Sequence, residues 1–290
     1  MKNIVILANP KAGVEAIFRI AKMTLLTRLK KENIFYQIYE TIEEVPKEVL
    51  KGPLDRMIVL GGDGTLHFVA QYLFTNKIDI PIAVIPTGSG NIFALTVRIP
   101  IMINKATKTA LRGKPRRIPL GLVNDKHLFM LSLTTGVHAQ LMKRTPRWSK
   151  KIIGPAAYYL RLPLDLARIK QHEYQITLEN GKVLKGKASA VFILNGMPRI
   201  PREPFSNMNL FSSNLYVLVV DAIGAREITQ LFASVFIQGK LPPKTAQFYE
   251  TKSLTLSTNN SSTRLDSEES KLKRMSIKTV PSAMRFIFPK

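Results

Sequence analysis

The sequence predicts a three-layer α/β domain on a parallel sheet, followed by an antiparallel, β-sandwich-like domain. The first is expected over residues 1–119 with a returning segment at 283–290, and the second over 120–282 of the 290-residue chain. Three observations carry this. Over 1–119, short β-branched apolar runs alternate with helix-like stretches, the pattern of parallel strands joined by crossover helices. The loops after the first, third and fourth runs carry glycine, and they fall at the strand edge where such folds hold ligands. From Arg116 onward the apolar runs are short and separated by turns, as in an antiparallel fold.

Taken in order, Ile4–Leu7 is the first strand, and Asn9-Pro10-Lys11-Ala12-Gly13 the turn behind it. Residues 14–31 read as a basic amphipathic helix, and Phe35–Tyr39 as the second strand. Thr41 to about Leu50 is expected to be helical with a break at Pro46, whose ring cannot sit inside a helix. Met57–Leu60 is the third strand and stops at a cluster of glycines. Leu66, Val69, Ala70 and Leu73 then recur at helical spacing to about Asn76. Ile82–Ile85 is the fourth strand and runs into Pro86-Thr87-Gly88-Ser89-Gly90-Asn91. The second domain is expected to use Leu120–Val123, His127–Leu133, Tyr174–Leu178, Ala188–Leu194, Leu215–Val220, Ser253–Ser257 and Arg274–Ile277 as strands. A basic helical stretch over 139–171 and a helix at Ile228–Ile237 interrupt it, and Met284–Pro289 can return to the first domain.

Composition bounds the chemistry. Hydrophobic residues make up 45% of the chain, ordinary for a globular protein and too many for wholesale disorder. There is no cysteine, which excludes disulfides, thiolate metal sites and thiol catalysis, and fits a reducing compartment. The apolar start is too short for a signal sequence, and no apolar run approaches the ~20 residues that span a bilayer. Lys and Arg number 43 against 20 Asp and Glu, a net charge of +23. Such a surface attracts polyanions: nucleic acid, anionic headgroups or nucleotide phosphates.

Gly61-Gly62-Asp63-Gly64-Thr65 is the most informative stretch. A strand that breaks into glycines and re-emerges as a helix suits phosphate, because bare backbone N–H groups approach an anion and the helix start is partly positive. Asp63 stands where a carboxylate can hold a Mg²⁺ that bridges phosphates. The plainer alternative is a tight strand-to-helix turn in which Asp63 is a cap.

Three motifs, Asn9–Gly13, Gly61–Thr65 and Pro86–Asn91 with Ile92-Phe93-Ala94 behind it, occur in this order and together resemble the diacylglycerol kinase catalytic-domain family. That family takes in bacterial lipid kinases and sphingosine and ceramide kinases, with NAD kinases as distant relatives. Asn195-Gly196 and Leu265-Asp266-Ser267-Glu268 are similar to its Asn-Gly and Asp-Gly-Glu motifs. The resemblance implies ATP- and Mg²⁺-dependent phosphorylation of a lipid hydroxyl, of diacylglycerol or sphingoid type. It also implies a nucleotide-binding first domain and a lipid-binding second one. Nucleotide contacts would come from Asn9, Pro10, Lys11, Gly13, Thr41, Gly61, Gly62, Gly64, Thr65, Ser89 and Asn91, with Asp63 as metal ligand. Glu268 would be the general base, with Asp266 beside it; the alternative is that Asp266, Glu268 and Glu269 form a solvated acidic turn.

The sequence departs from the family at several acids. His67-Phe68 stands for Asn-Glu, Leu120 precedes Gly121 where aspartate is usual, Ser213 replaces an aspartate, and Ser267 replaces glycine. Phe68 is expected to pack in the core. A second implied function is therefore a family member that binds nucleotide or lipid at membranes without turnover. The stretch over 139–171 holds Lys143, Arg144, Arg147, Lys150, Lys151, Arg161, Arg168 and Lys170 around Trp148, Tyr158 and Tyr159. This mixture suits an anionic membrane, and the expected location is cytoplasmic, peripheral at the inner face of a membrane. Nucleic acid is not an expected partner. His127, His138 and His172 show no ligand spacing and read as structural.

Overall fold

A computed structural model describes residues 3–10, 13–136, 171–196, 208–221, 227, 242, 245–259, 262–266 and 268–290. The stretch expected as helical from 139 to 170, the helix expected at Ile228–Ile237, and Lys11, Ala12, His138 and Ser267 lie outside the described residues. The chain divides into two compact units, 1–118 with 282–290, and 119–281.

In the first unit, β1 (Asn3–Ala8), β2 (Phe35–Tyr39), β3 (Arg56–Gly61), β4 (Ile82–Pro86) and the end of β16 (Arg274–Phe288) line up in the order β2-β1-β3-β4-β16. Every pairing in this row is parallel, including Phe286 of β16 with Ile82 of β4. Alternation along β1 sends Ile4, Ile6 and Ala8 to one face. There they pack with Phe18, Ala21, Leu25 and Leu29 of α1 (Glu15–Lys31) and with Ala106, Ala110 and Leu111 of α5 (Ile103–Arg112). Helix α3 (Asp63–Thr75) packs against β3 and buries Leu66, Val69, Ala70 and Leu73. Short helices α2 (Lys47–Lys51) and α4 (Ile92–Thr96) complete the unit, and the ring of Phe93 lies 4.7 Å from that of Phe286.

The chain leaves this unit in β5 (Lys114–Val123) and re-enters it in β16. One side chain ties exit to entry. The Asp79 carboxylate accepts from Arg117 at 2.5 Å and from Arg285 at 2.9 Å, while Arg117 also donates to the carbonyl of Ser282 at 3.0 Å.

The second unit is antiparallel. One sheet runs β16-β13-β8-β9, with β8 at His172–Leu178, β9 at Val183–Ala188 and β13 at Ser253–Thr258. The other runs β12-β11-β10-β7-β14-β15. It is built from β7 (Ser132–Gly136), β10 (Ala190–Leu194), β11 (Leu215–Val220), β12 (Ala246–Thr251), β14 (Thr263–Leu265) and β15 (Glu268–Ser270). β6 (His127–Phe129) pairs with β5. Ile176, Leu256 and Ile277 from the first sheet share one core with Leu133, Ile193, Val217 and Leu265 from the second, which makes the unit a sandwich.

Beyond the added elements α4, β9, β12, β14 and β15, three departures from the sequence expectation have a local cause. Thr41–Val45 is not helical: the Glu44 carboxylate accepts from the amides of Glu40 and Thr41 and folds the segment into turns, so the helix starts only behind Pro46. Helix α5 was not expected: apart from Leu111 its buried positions are Ala106, Thr107, Thr109 and Ala110, residues that do not stand out as apolar in the sequence. His127–Leu133 is two strands, because a carboxylate 130-odd residues away draws the amides of Met130, Leu131 and Ser132 out of the ladder.

Candidate functional site

In the first unit the glycine loops meet backbone to backbone. Gly13 has φ +80, and a Cβ there would sit 1.8 Å from the carbonyl oxygen of Thr87. A Cβ on Gly88 would sit 2.5 Å from the Cα of Gly62, and one on Gly62 3.0 Å from the Cα of Gly88. The loops after β1, β3 and β4 are thus in mutual contact at the carboxyl edge of the sheet, an approach that only glycine permits. The amide of Thr87 extends the β3–β4 ladder by donating to Gly61 at 3.0 Å. Its side chain is wholly buried, and Oγ1 finds no hydrogen-bond partner.

Two polar side chains lock the loops. Asn91 adopts the left-handed conformation, accepts from the Gly88 amide at 3.0 Å and donates to the Gly88 carbonyl at 2.7 Å. Asp63, the first residue of α3, reaches across to α4: its oxygens accept from the amides of Ile92 at 3.0 Å and Phe93 at 2.9 Å. Asp63 is therefore a helix cap, but for α4 rather than for its own helix. Gly62 opens α3, and Gly64 and Thr65 lie in its first turn. Asn9 is half-buried, Pro10 and Ser89 are exposed, and Thr41 is exposed in the turn behind β2.

The two motifs of the second unit converge on one corner. Asp266, at φ +50, accepts from the amides of Met130 at 2.7 Å, Leu131 at 2.8 Å and Ser132 at 3.0 Å. Asn195 is completely buried and donates to the carbonyls of Met130 at 2.8 Å and Pro119 at 3.0 Å. The backbone amides of Asn195 and Gly196 both donate to Leu131. Asp266 thus binds the amides of the Met130–Ser132 corner while Asn195-Gly196 binds its carbonyls. Glu268 opens β15 directly behind this pin, in register with Leu265, and is exposed.

A family model described as the diacylglycerol kinase catalytic domain matches residues 3–123. That match spans less than half of the chain. The chain is 29% identical, over 63% of its length, to a Yersinia enterocolitica protein named "Probable lipid kinase YegS-like", and 28% identical, over 65%, to a Staphylococcus aureus diacylglycerol kinase. Those matches span 62% and 60% of the two relatives' own lengths. Among solved structures it resembles a Bacillus anthracis diacylglycerol kinase, with a TM-score of 0.74 and 21% identity over 99% of this chain and 96% of that one. An Archaeoglobus fulgidus NAD kinase in complex with ATP has a TM-score of 0.52 at 12% identity, covering 100% and 94% of the two chains. At these identities the structures testify to the fold.

The residues that depart from the diacylglycerol kinase motifs take clear positions. Phe68 does not pack in the core: it is 46% exposed on α3, whereas His67 beside it is buried. Leu120 is buried within β5, and Ser213 is half-buried in the bend before β11. Thr87 lies inside the third motif, but sequence reasoning gave its hydroxyl no role, and the structure buries it. That reasoning also missed the amides of Ile92, Phe93 and Met130–Ser132, because backbone donors leave no mark on side-chain identity.

Proposed function

We propose that the chain is an ATP-dependent lipid kinase, transferring the γ-phosphate to a lipid hydroxyl of diacylglycerol or sphingoid type. The observation that carries this reading is the backbone-to-backbone meeting of Gly13, Gly62 and Gly88 at Thr87, whose buried hydroxyl has no partner. Backbone held open by glycine, beside the start of α3, offers N–H donors to an anion, as a triphosphate requires. The family-model match over 3–123 and the names of the relatives support a kinase with a lipid acceptor.

In this reading Gly61, Gly62, Gly64, Thr65, Gly13 and Ser89 hold the phosphates, with Asn9, Pro10, Lys11 and Thr41 along the nucleotide, and Asn91 keeps the third loop in shape. Glu268 takes the proton from the acceptor hydroxyl. The freed oxygen bonds to the terminal phosphorus while the bond to the nucleoside diphosphate breaks. Asp266, with its oxygens on backbone amides, positions the turn that presents Glu268. Mg²⁺ fits less well. No group of three or more His, Cys, Asp or Glu side chains that could hold a metal occurs among the described residues, and both Asp63 oxygens accept from amides. A Mg²⁺ would rest chiefly on the nucleotide's own phosphates.

The same use of Asp63 and Asp266 favours a second reading, a member that binds nucleotide at membranes without turnover. Purified protein with labelled ATP and a panel of diacylglycerol, monoacylglycerol, sphingosine and ceramide separates the two. The expected result is a labelled lipid, lost by at least a hundredfold in Glu268→Gln with nucleotide affinity retained. Nucleotide binding without any labelled lipid establishes the second reading. No helix among the described residues is long and apolar enough to cross a membrane. A cytoplasmic chain that meets anionic lipid at the inner face of a membrane is part of the proposal.

A further inference from the structure

We infer that the outward face of α1 is a docking surface for an anionic phospholipid bilayer. Helix α1 buries Phe18, Ala21, Leu25 and Leu29 against the sheet. An ordinary surface helix turns polar residues the other way. Here Ile17, Ile20 and Met23 follow one another at three-residue steps and are 38%, 50% and 64% exposed. Ala16 and Thr27 are exposed on the same side, so the stripe around Ile20 and Met23 carries no carboxylate. The helix is apolar on two faces, and the sheet covers only one of them.

Charge says what suits the other. From Glu15 to Glu32 the chain holds Arg19, Lys22, Arg28, Lys30 and Lys31 against two acids. Both acids are engaged: Glu15 pairs with Arg19 at 2.6 Å, and Glu32 with Arg112 at 2.9 Å. Lys22, Arg28, Lys30 and Lys31 remain as an excess of positive charge flanking exposed aliphatic side chains. An apolar stripe with a cationic border is the pattern of a helix that lies in the headgroup layer, where apolar burial and attraction to anionic lipid act together. A second copy of this chain would bring the same positive border face to face with itself, and the net charge of +23 makes such pairing unfavourable. The surface deepens the lipid-kinase reading, because it would bring the chain to its substrate, yet it can be tested without turnover.

The chain has no cysteine, so Met23→Cys creates a unique attachment point for an environment-sensitive fluorophore. Labelled protein is mixed with vesicles of phosphatidylcholine alone, or of phosphatidylcholine with phosphatidylglycerol. A blue shift with the anionic vesicles and none with the neutral ones is expected, while the same label at Lys185→Cys, exposed on β9, stays unshifted. Unlabelled Ile20→Ser/Met23→Ser should lose at least tenfold in sedimentation with the anionic vesicles and bind nucleotide like the parent chain. A silent label at position 23, or undiminished sedimentation of the double variant, overturns the inference. So does a shift that grows with protein concentration in the absence of vesicles, which would assign the face to a second copy. Vesicle binding through α1 without any labelled lipid counts against the kinase reading alone, and labelled lipid with a silent label counts against the docking surface alone.

Discussion

Gly13→Ala should unfold at markedly lower denaturant than the parent protein, by about 2–4 kcal/mol, and should lose measurable nucleotide binding. Two effects add. The position has φ +80, where an L side chain is strained, and the new methyl group would lie 1.8 Å from the Thr87 carbonyl oxygen. That oxygen belongs to backbone, so it cannot swing aside as a side chain would. The loops after β1 and β4 would have to part, and with them the cradle proposed for phosphate. Gly181→Ala is the matched control. It shares φ +80, but nothing lies within 4 Å of the added Cβ, so it should cost only the backbone strain of about 1 kcal/mol. A Gly13→Ala protein no less stable than Gly181→Ala would show that the contact between the loops does not constrain them.

Asp266→Ala should cost about 3–5 kcal/mol in chemical unfolding, because it strands three backbone donors on one corner. The corner has no substitute acceptor at hand, since the carbonyls of Met130 and Leu131 are already taken by Asn195 and Gly196. Asp266→Asn keeps one acceptor oxygen and tolerates the left-handed backbone, and should cost about half as much. Glu268→Gln, two residues on, should leave the unfolding transition where it is. This contrast separates a residue that holds the corner from one proposed to act on the substrate. Equal unfolding midpoints for Asp266→Ala and the parent protein would refute the structural role.

The sequence made the frame of the first unit legible because β1, β3 and β4 are almost fully buried. Ile4–Leu7, Met57–Leu60 and Ile82–Ile85 are near-continuous aliphatic runs, and breaks in such runs are hard to mistake. The three glycine loops were legible in kind for the same reason, as abrupt ends of buried strands. What each carboxylate does was not. Asp63 and Asp266 look alike on paper to any acid in a catalytic motif, yet both face backbone amides distant in sequence, which any residue type could have supplied. Helix α5 escaped because alanine and threonine carry its buried side. Phe68 misled in the other direction: an aromatic in the second turn of a buried helix suggests core, but its position on the cylinder turns it outward.

The Asp79 clasp bears on how this chain is put together. Arg117 and Ser282 touch, although residues 119–281 intervene between the two units' chain crossings. The closing of that long loop is thus accomplished inside the first unit, by Asp79 and its two arginines. Topologically the sandwich is a cassette slotted into one gap of the α/β unit, whose cut ends are already in hydrogen-bonding reach of each other. A chain in which a few small residues bridge Arg117 to Ser282 would keep every parallel pairing of the first sheet, and the two units become parts that can be exchanged rather than halves of one indivisible fold.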